Sequence, residues 1–281
     1  MRWLTLVPLL FLAEAEGGEK DVFEFETDGR MVRVWTYAPK EAGPSAPVVV
    51  VMHGVKRNGE DYRENWIRHS DKRGFVVLVP EFSRKDWPGS RCYNTGNVLD
   101  KNGKATGEES WAFTAVDLAF DEYLRRSGNR SKDYHLFGHS AGGQFVHRLV
   151  LMRPKAKFSA AIAANAGWYT MPDLDEAWPY GLKGVPVNEA QLEEAFARRL
   201  TILLGEKDND PEHRYLRRTP EAMKQGPHRL ARGKKFYGAA VRRAGDVSVS
   251  LGWKLKSVPG VGHDNLEMIP AAVQVFFVRG E

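Results

Sequence analysis

The stretch "YHLFGHSAGGQFVHRL" (residues 134–149) begins as a covered β-strand and ends with the spacing of a helix. Between the two stand Gly138, Ser140 and Gly142, with Gly143 following. A strand that turns directly into a helix brings the two backbones together, so residues two before and two after the turn must lack bulk. A helix starting at Ala141 would aim free amides and the positive end of its dipole at the serine oxygen. The pattern suits an exposed, reactive hydroxyl. A glycine-rich turn with an idle serine would look the same in isolation, and the rest of the chain must separate the two.

Outward from this point, apolar runs alternate with helical periodicity. "APVVVVMHG" (46–54) and "FVVLVPEF" (75–82) are continuous β-branched or apolar runs, as in strands covered on both faces. "DYRENWIRHSDKRG" (61–74) and "SWAFTAVDLAFDEYLRRSG" (110–128) read as helices that stop at glycine. "FSAAIAANAG" (158–167), "LTILLGEKD" (200–208) and "VSVSLGWKLKSVPGVGH" (247–263) each carry a further strand, and "NLEMIPAAVQVFFV" (265–278) a closing helix that holds Pro270. Ahead of them, "DVFEFETDGRMVRVWTYAPK" (21–40) alternates apolar and polar residues around "DGR", the mark of an antiparallel hairpin. Two long irregular stretches, 83–109 and 168–184, interrupt the order. The expected architecture is α/β: a mostly parallel, doubly covered sheet with an N-terminal antiparallel hairpin.

Composition agrees with one large core. The chain has 281 residues, 42% of them hydrophobic, and no internal repeat or low-complexity linker divides it. The net charge of +5 is dispersed, and no nucleic-acid-binding motif accompanies it. The densest basic stretch, 228–243, has Leu230, Phe236, Ala240 and Val241 at helical spacing, so its cations read as a solvated helix face. "MRWLTLVPLLFLAEA" (1–15) has the basic start, short apolar run and small-residue end of a secretory signal cleaved after Ala15, leaving a single domain over 16–281. The run is too short to span a bilayer comfortably, so no stable membrane insertion is expected and the protein is read as periplasmic or secreted. Cys92 is the single cysteine, so no internal disulfide can form.

A serine hydroxyl becomes a nucleophile only when a base takes its proton. His263 lies in a glycine-lined loop directly after the last predicted strand, where its ring could reach across the sheet top. The imidazole then needs a carboxylate from a strand end lying between serine and histidine in chain order. "LLGEKDND" supplies Asp208, with Asp210 and Glu206 as competitors. The oxyanion of acyl transfer needs two fixed amide donors. Ala141, after the serine, is one candidate; Val55, in the turn after "VVVVMHG", is the other. Trp87, Tyr93, Trp168, Tyr169 and Trp178 lie in the two long loops and are candidates for substrate walls, or simply for pinning those loops to the domain.

With "VVVVMHGVKRNG", "YHLFGHSAGG", "LLGEKD" and "GVGH" in this order, the chain resembles the α/β-hydrolase superfamily over nearly all its mature length. The early hairpin and "GHSAGG" resemble the exported esterase branch that includes feruloyl esterases and polyhydroxyalkanoate depolymerases. The lone Cys92 and the "VKRNG" after "HG" depart from that branch's usual pattern and leave the substrate open. The resemblance implies a serine esterase acting on a small or polymeric ester, with no metal or organic cofactor and no nucleic acid. A serine peptidase or acyltransferase with the same residues is the alternative, and a non-catalytic binding protein on the same fold is a further one.

Overall fold

The computed structural model describes residues 17–278; the expected signal segment and its cleavage after Ala15 lie outside them. The hairpin forms strands β1 (Glu19–Thr27) and β2 (Arg30–Ala38), paired in register from Glu19↔Ala38 to Thr27↔Arg30. Its two turn residues, Asp28 and Gly29, both have positive φ (48° and 70°), the conformation that matches the twist of a two-residue hairpin.

The chain then runs through β3 (Val48–Met52), α1 (Gly59–Arg73), β4 (Val76–Glu81), the single turn α2 (Gly89–Cys92) and α3 (Ala112–Ser127). β5 (Tyr134–His139), α4 (Ala141–Met152), β6 (Phe158–Ala164), α5 (Glu189–Ala197) and β7 (Leu200–Gly205) follow. The closing elements are α6 (Pro220–Gln225), α7 (Arg229–Asp246), β8 (Lys254–Val258) and α8 (Asn265–Phe277).

Eight strands form one sheet in the order β1-β2-β4-β3-β5-β6-β7-β8. β1–β2 and β2–β4 are antiparallel; every later pairing is parallel. Strand β3 explains why the central sequences are apolar without interruption. Val48, Val50 and Met52 face a core shared with α3 and α4 through Phe113, Phe120 and Phe145. Val49 and Val51 face the opposite core, filled by Trp66 of α1 and by Met268, Ile269 and Ala272 of α8. Alternate residues thus enter two separate cores, so neither face can be polar.

The basic stretch of α7 departs from expectation. It packs through Arg229, Arg232, Gly233, Phe236, Ala240 and Ala244, while Val241 is exposed, so two of its cations are buried rather than solvated. The reason is a set of acceptors within the domain. Arg232 donates to the carbonyls of Gly226, Gly167 and Arg217, and Arg229 meets Asp208. α5 and α6, short helices capped by Asn188 and Thr219, were not visible among the irregular sequence around them.

The chain order reverses between β3 and β5, which lie side by side while their crossovers lead to opposite edges. In open parallel sheets ligands bind beyond the carboxyl ends of the strands at such a switch point. β3 ends just before Val55 and β5 just before Ser140.

Candidate active site

Ser140 occupies the turn between β5 and α4 with φ 60° and ψ −114°, a backbone state that residues with a Cβ rarely adopt. Its amide donates to the Ala164 carbonyl at 2.9 Å and its carbonyl accepts from Gln144, which fixes the turn at both ends. The close approach that calls for glycine is measurable. A Cβ on Gly142 would lie 2.1 Å from the carbonyl oxygen of Met52, and one on Gly138 would lie 2.3 Å from that of Gly142. Both neighbours are backbone and cannot yield, so the helix can start against β3 only with glycine there.

His263 Nε2 stands 3.0 Å from Ser140 Oγ, and its Nδ1 stands 2.7 Å from Asp208 Oδ2. Three residues remote in sequence therefore form one hydrogen-bonded line. Asp208 is buried, while Asp210 turns to its own loop and accepts from the Glu212 amide. Glu206 likewise points to the exposed side and accepts from Ser257 Oγ. The second oxygen of Asp208 meets the buried Arg229 guanidinium at 3.2 Å, and the same arginine reaches His213 Nδ1 at 3.0 Å. The carboxylate is thus bound on both oxygens, which offsets the cost of burying it.

The strand ends that carry these groups are tied together by Asn165, a buried residue with φ 46°. Its Oδ1 accepts from the Gly205 amide at 2.8 Å, and its Nδ2 donates to the Gly262 carbonyl at 3.0 Å. The Lys207 amide adds a further bond to the Val261 carbonyl at 2.8 Å. Asn165 thereby sets the loop of His263 against the loop of Asp208.

The turn after β3 is held by three successive carbonyls. That of His53 accepts from Tyr93 OH at 2.6 Å, that of Gly54 accepts from His53 Nδ1 at 3.0 Å, and that of Val55 accepts from Arg84 at 3.0 Å. His53 Nε2 in turn accepts from the Phe82 amide at 3.1 Å. This pattern requires the neutral ring, and complete burial pushes its pKa down to about 3. With the carbonyls engaged behind it, the Val55 amide has no acceptor among the described residues, nor does the Ala141 amide at the first turn of α4. Val55, Ser140 and Ala141 border the same cleft.

That cleft has two lobes that meet at Ser140, Val55 and Tyr215. One, of about 370 Å³, is bordered by Lys56, His213, Arg214, His263 and Asp264. The other, of about 270 Å³, is bordered by Arg57, Arg84, Tyr93, Trp168 and Arg217. Of the five aromatic candidates, Tyr93 and Trp168 thus reach the cleft. Trp87 does not: its ring is buried against Phe82 and its Nε1 donates to the Met31 carbonyl. Tyr169 stacks on Phe236 beneath the loop, and Trp178 packs against the larger core. These three anchor long loops, which sequence alone could not distinguish from lining a cleft.

Two further histidines near the site had no sequence signal beyond their type. His139 is buried with its ring centroid 4.7 Å from that of His263. Burial, together with the nearby His263 and Arg229, holds its pKa well below the usual histidine value. His147, which could have been a surface or core residue, is a core one: it bridges the Gly143 carbonyl and the Thr170 amide, each at 3.0 Å. Among the described residues no group of histidine, cysteine or acidic side chains is gathered to hold a metal. No helix among them is long and apolar enough to cross a membrane.

The sheet, the strained serine turn and the hydrogen-bonded line define an α/β-hydrolase-type domain. The family model "Esterase PHB depolymerase" matches residues 34–169. A solved poly(aspartic acid) hydrolase-1 from Sphingomonas sp. KT-1 is 41% identical, with a TM-score of 0.90 over 92% of this chain and 98% of that one. LpqC, a poly(3-hydroxybutyrate) depolymerase from Bordetella parapertussis, is 37% identical, with a TM-score of 0.87 over 92% and 89% of the two chains. The chain belongs to the esterase/PHB depolymerase family, a family of carboxylic ester hydrolases. A bifunctional acetylxylan esterase/xylanase from Neocallimastix patriciarum is 27% identical over 141 residues, which make up half of this chain but only 18% of that protein.

Proposed function

We propose that the protein hydrolyses carboxylic esters through an acyl-enzyme on Ser140. The observation that carries this reading is the continuous line from Ser140 Oγ through both nitrogens of His263 to Asp208, at 3.0 and 2.7 Å. His263 Nε2 takes the serine proton as Oγ adds to the ester carbonyl, and the imidazolium is stabilised by Asp208 through Nδ1. The carbonyl oxygen becomes an anion that accepts from the Val55 and Ala141 amides, donors already fixed before reaction. Collapse of the tetrahedral species expels the alcohol, which takes the proton from Nε2. Water then enters, loses a proton to His263 and releases the acid by the same steps in reverse. The basic and apolar character of residues 1–15 supports export, with the enzyme acting outside the cytoplasm.

A second reading replaces the ester with an amide. It is favoured by the 41% identity to a poly(aspartic acid) hydrolase over 98% of that chain. The two are separated by turnover of p-nitrophenyl esters of graded chain length against the matching p-nitroanilides, for the native chain and Ser140→Ala. Ester turnover that vanishes with Ser140→Ala is expected. Equal turnover by both chains overturns the proposal, and release from anilides without release from esters selects the amide reading.

A further inference from the structure

The smaller lobe beside Ser140 has an uncommon charge balance. Arg57, Arg84 and Arg217 border it, and no aspartate or glutamate does. Among the described residues none of these three arginines forms an ion pair. Arg57 is held by backbone, donating to the carbonyls of Phe82, Trp87 and Gly89 and lying 4.1 Å over the Tyr93 ring, so it contributes fixed charge. Arg217 differs. Its Nε donates to Tyr180 OH at 2.7 Å and its guanidinium lies 4.6 Å from the Trp168 ring, but among the described residues its two terminal nitrogens meet no acceptor. Those are the atoms that form the two-pronged contact with a carboxylate.

The mounting of Arg217 is itself unusual. The Trp168 ring meets two guanidiniums, that of Arg217 and, at 4.0 Å, that of the fully buried Arg148. Arg148 donates to Thr170 Oγ1 and to the carbonyls of Asn94 and Gln144, yet among the described residues its Nη2 has no partner and no carboxylate pairs with it. Burying a cation without a counter-ion costs free energy that a protein ordinarily avoids. A bound anion in this lobe would supply a counter-charge to the three arginines that border it, with Arg148 behind Trp168 adding to the local positive field.

Resting on the reading of Ser140 as the nucleophile, we infer that the arginine lobe is a carboxylate subsite, and that the substrate carries an anionic group beside its scissile carbonyl, received by the free fork of Arg217 with Arg84 as second cation. A rigid, stacked fork loses little side-chain entropy on binding. Arg217 and Arg84 are then specificity-determining residues.

The test compares esters with a common leaving group: mono-p-nitrophenyl glutarate against p-nitrophenyl valerate, which match in chain length and differ in one carboxylate. A second pair, 4-carboxyphenyl and 4-carbamoylphenyl butyrate, places the charge on the alcohol side. In one of the two pairs kcat/KM for the anionic member is expected to exceed that of its neutral match by at least tenfold at low ionic strength. That ratio should fall at least tenfold in Arg217→Gln and in Arg84→Gln, and less in Arg217→Lys. Ratios near one in both pairs, unmoved by the variants, overturn the subsite while leaving the esterase reading intact. Should no ester be turned over, calorimetric titration of Ser140→Ala with glutarate still decides. Binding lost in Arg217→Gln/Ser140→Ala supports the subsite, and no binding refutes it.

Discussion

Replacing Ser140 by glycine should make the protein more stable while abolishing its activity. Ser140 sits at φ 60°, ψ −114° because the strand-to-helix turn admits no other path. A residue with a Cβ in such a sparsely populated region carries about 1–3 kcal/mol of strain. Ser140→Ala removes the hydroxyl but keeps the Cβ, and hence the strain. Ser140→Gly removes both, at a cost of roughly 0.5–1 kcal/mol in unfolded-chain entropy. The glycine variant should therefore exceed the alanine variant by about 0.5–2 kcal/mol, a Tm difference of roughly 1–8 °C for a domain of this size. Chemical denaturation of the two variants, which differ only at this atom, gives the comparison directly. Both should lose on the order of 10⁴-fold or more in ester turnover. If the glycine variant is no more stable than the alanine variant, the turn at Ser140 is not strained.

Three other perturbations address different parts of the site. Asn165→Ala removes its two side-chain bonds between the loops of Asp208 and His263 and leaves that of the Lys207 amide to Val261, so kcat should drop by roughly 10- to 100-fold with a smaller change in KM, since the alignment of the reacting groups suffers; unchanged kcat would count against a positioning role for Asn165. Arg229→Met leaves the buried Asp208 with one charged partner fewer and should destabilise the fold by about 3–5 kcal/mol, read from urea unfolding; a loss below about 1 kcal/mol would contradict the pairing. The third concerns pH. His53 is neutral in the folded state down to about pH 3, whereas in the unfolded chain it takes up a proton near its ordinary value of 6.5. The unfolded state thus binds more protons in this window, so the contribution is complete above pH 6.5 and lost as pH falls toward 3. About 2–3 kcal/mol should be gone from this residue by pH 4.5. The urea midpoint should decline over that range, and less steeply in His53→Asn; identical slopes would refute the assignment.

Which parts were legible in the sequence follows from the range of the forces involved. β3 was readable because both of its faces enter a core, which leaves an uninterrupted "VVVV". The hairpin was readable because "DG" is one of the few pairs that suit a two-residue turn with positive φ at both positions. Ser140, Asp208 and His263 could be brought together by chain order at strand ends, a one-dimensional trace of the sheet. Arg229 and Asn165 left no such trace. Their roles depend on which backbone atoms and side chains converge from separate crossovers, and a lone arginine in a basic helix looks solvated until a buried carboxylate faces it. The aromatic residues divided for the same reason. Trp87 and Trp168 occupy similar loop sequence, yet one fills a core position above Phe82 and the other borders the cleft. Only the folded path of each loop decides between those fates.

The most direct examination of the central claim is covalent labelling with an organophosphonate fluoride, followed by intact mass and peptide mapping. One phosphonyl adduct per chain is expected, on the peptide containing Ser140, forming at least 10³-fold more slowly in His263→Ala because the hydroxyl then lacks its base. An adduct on a different residue, or labelling at an undiminished rate without His263, would contradict the account.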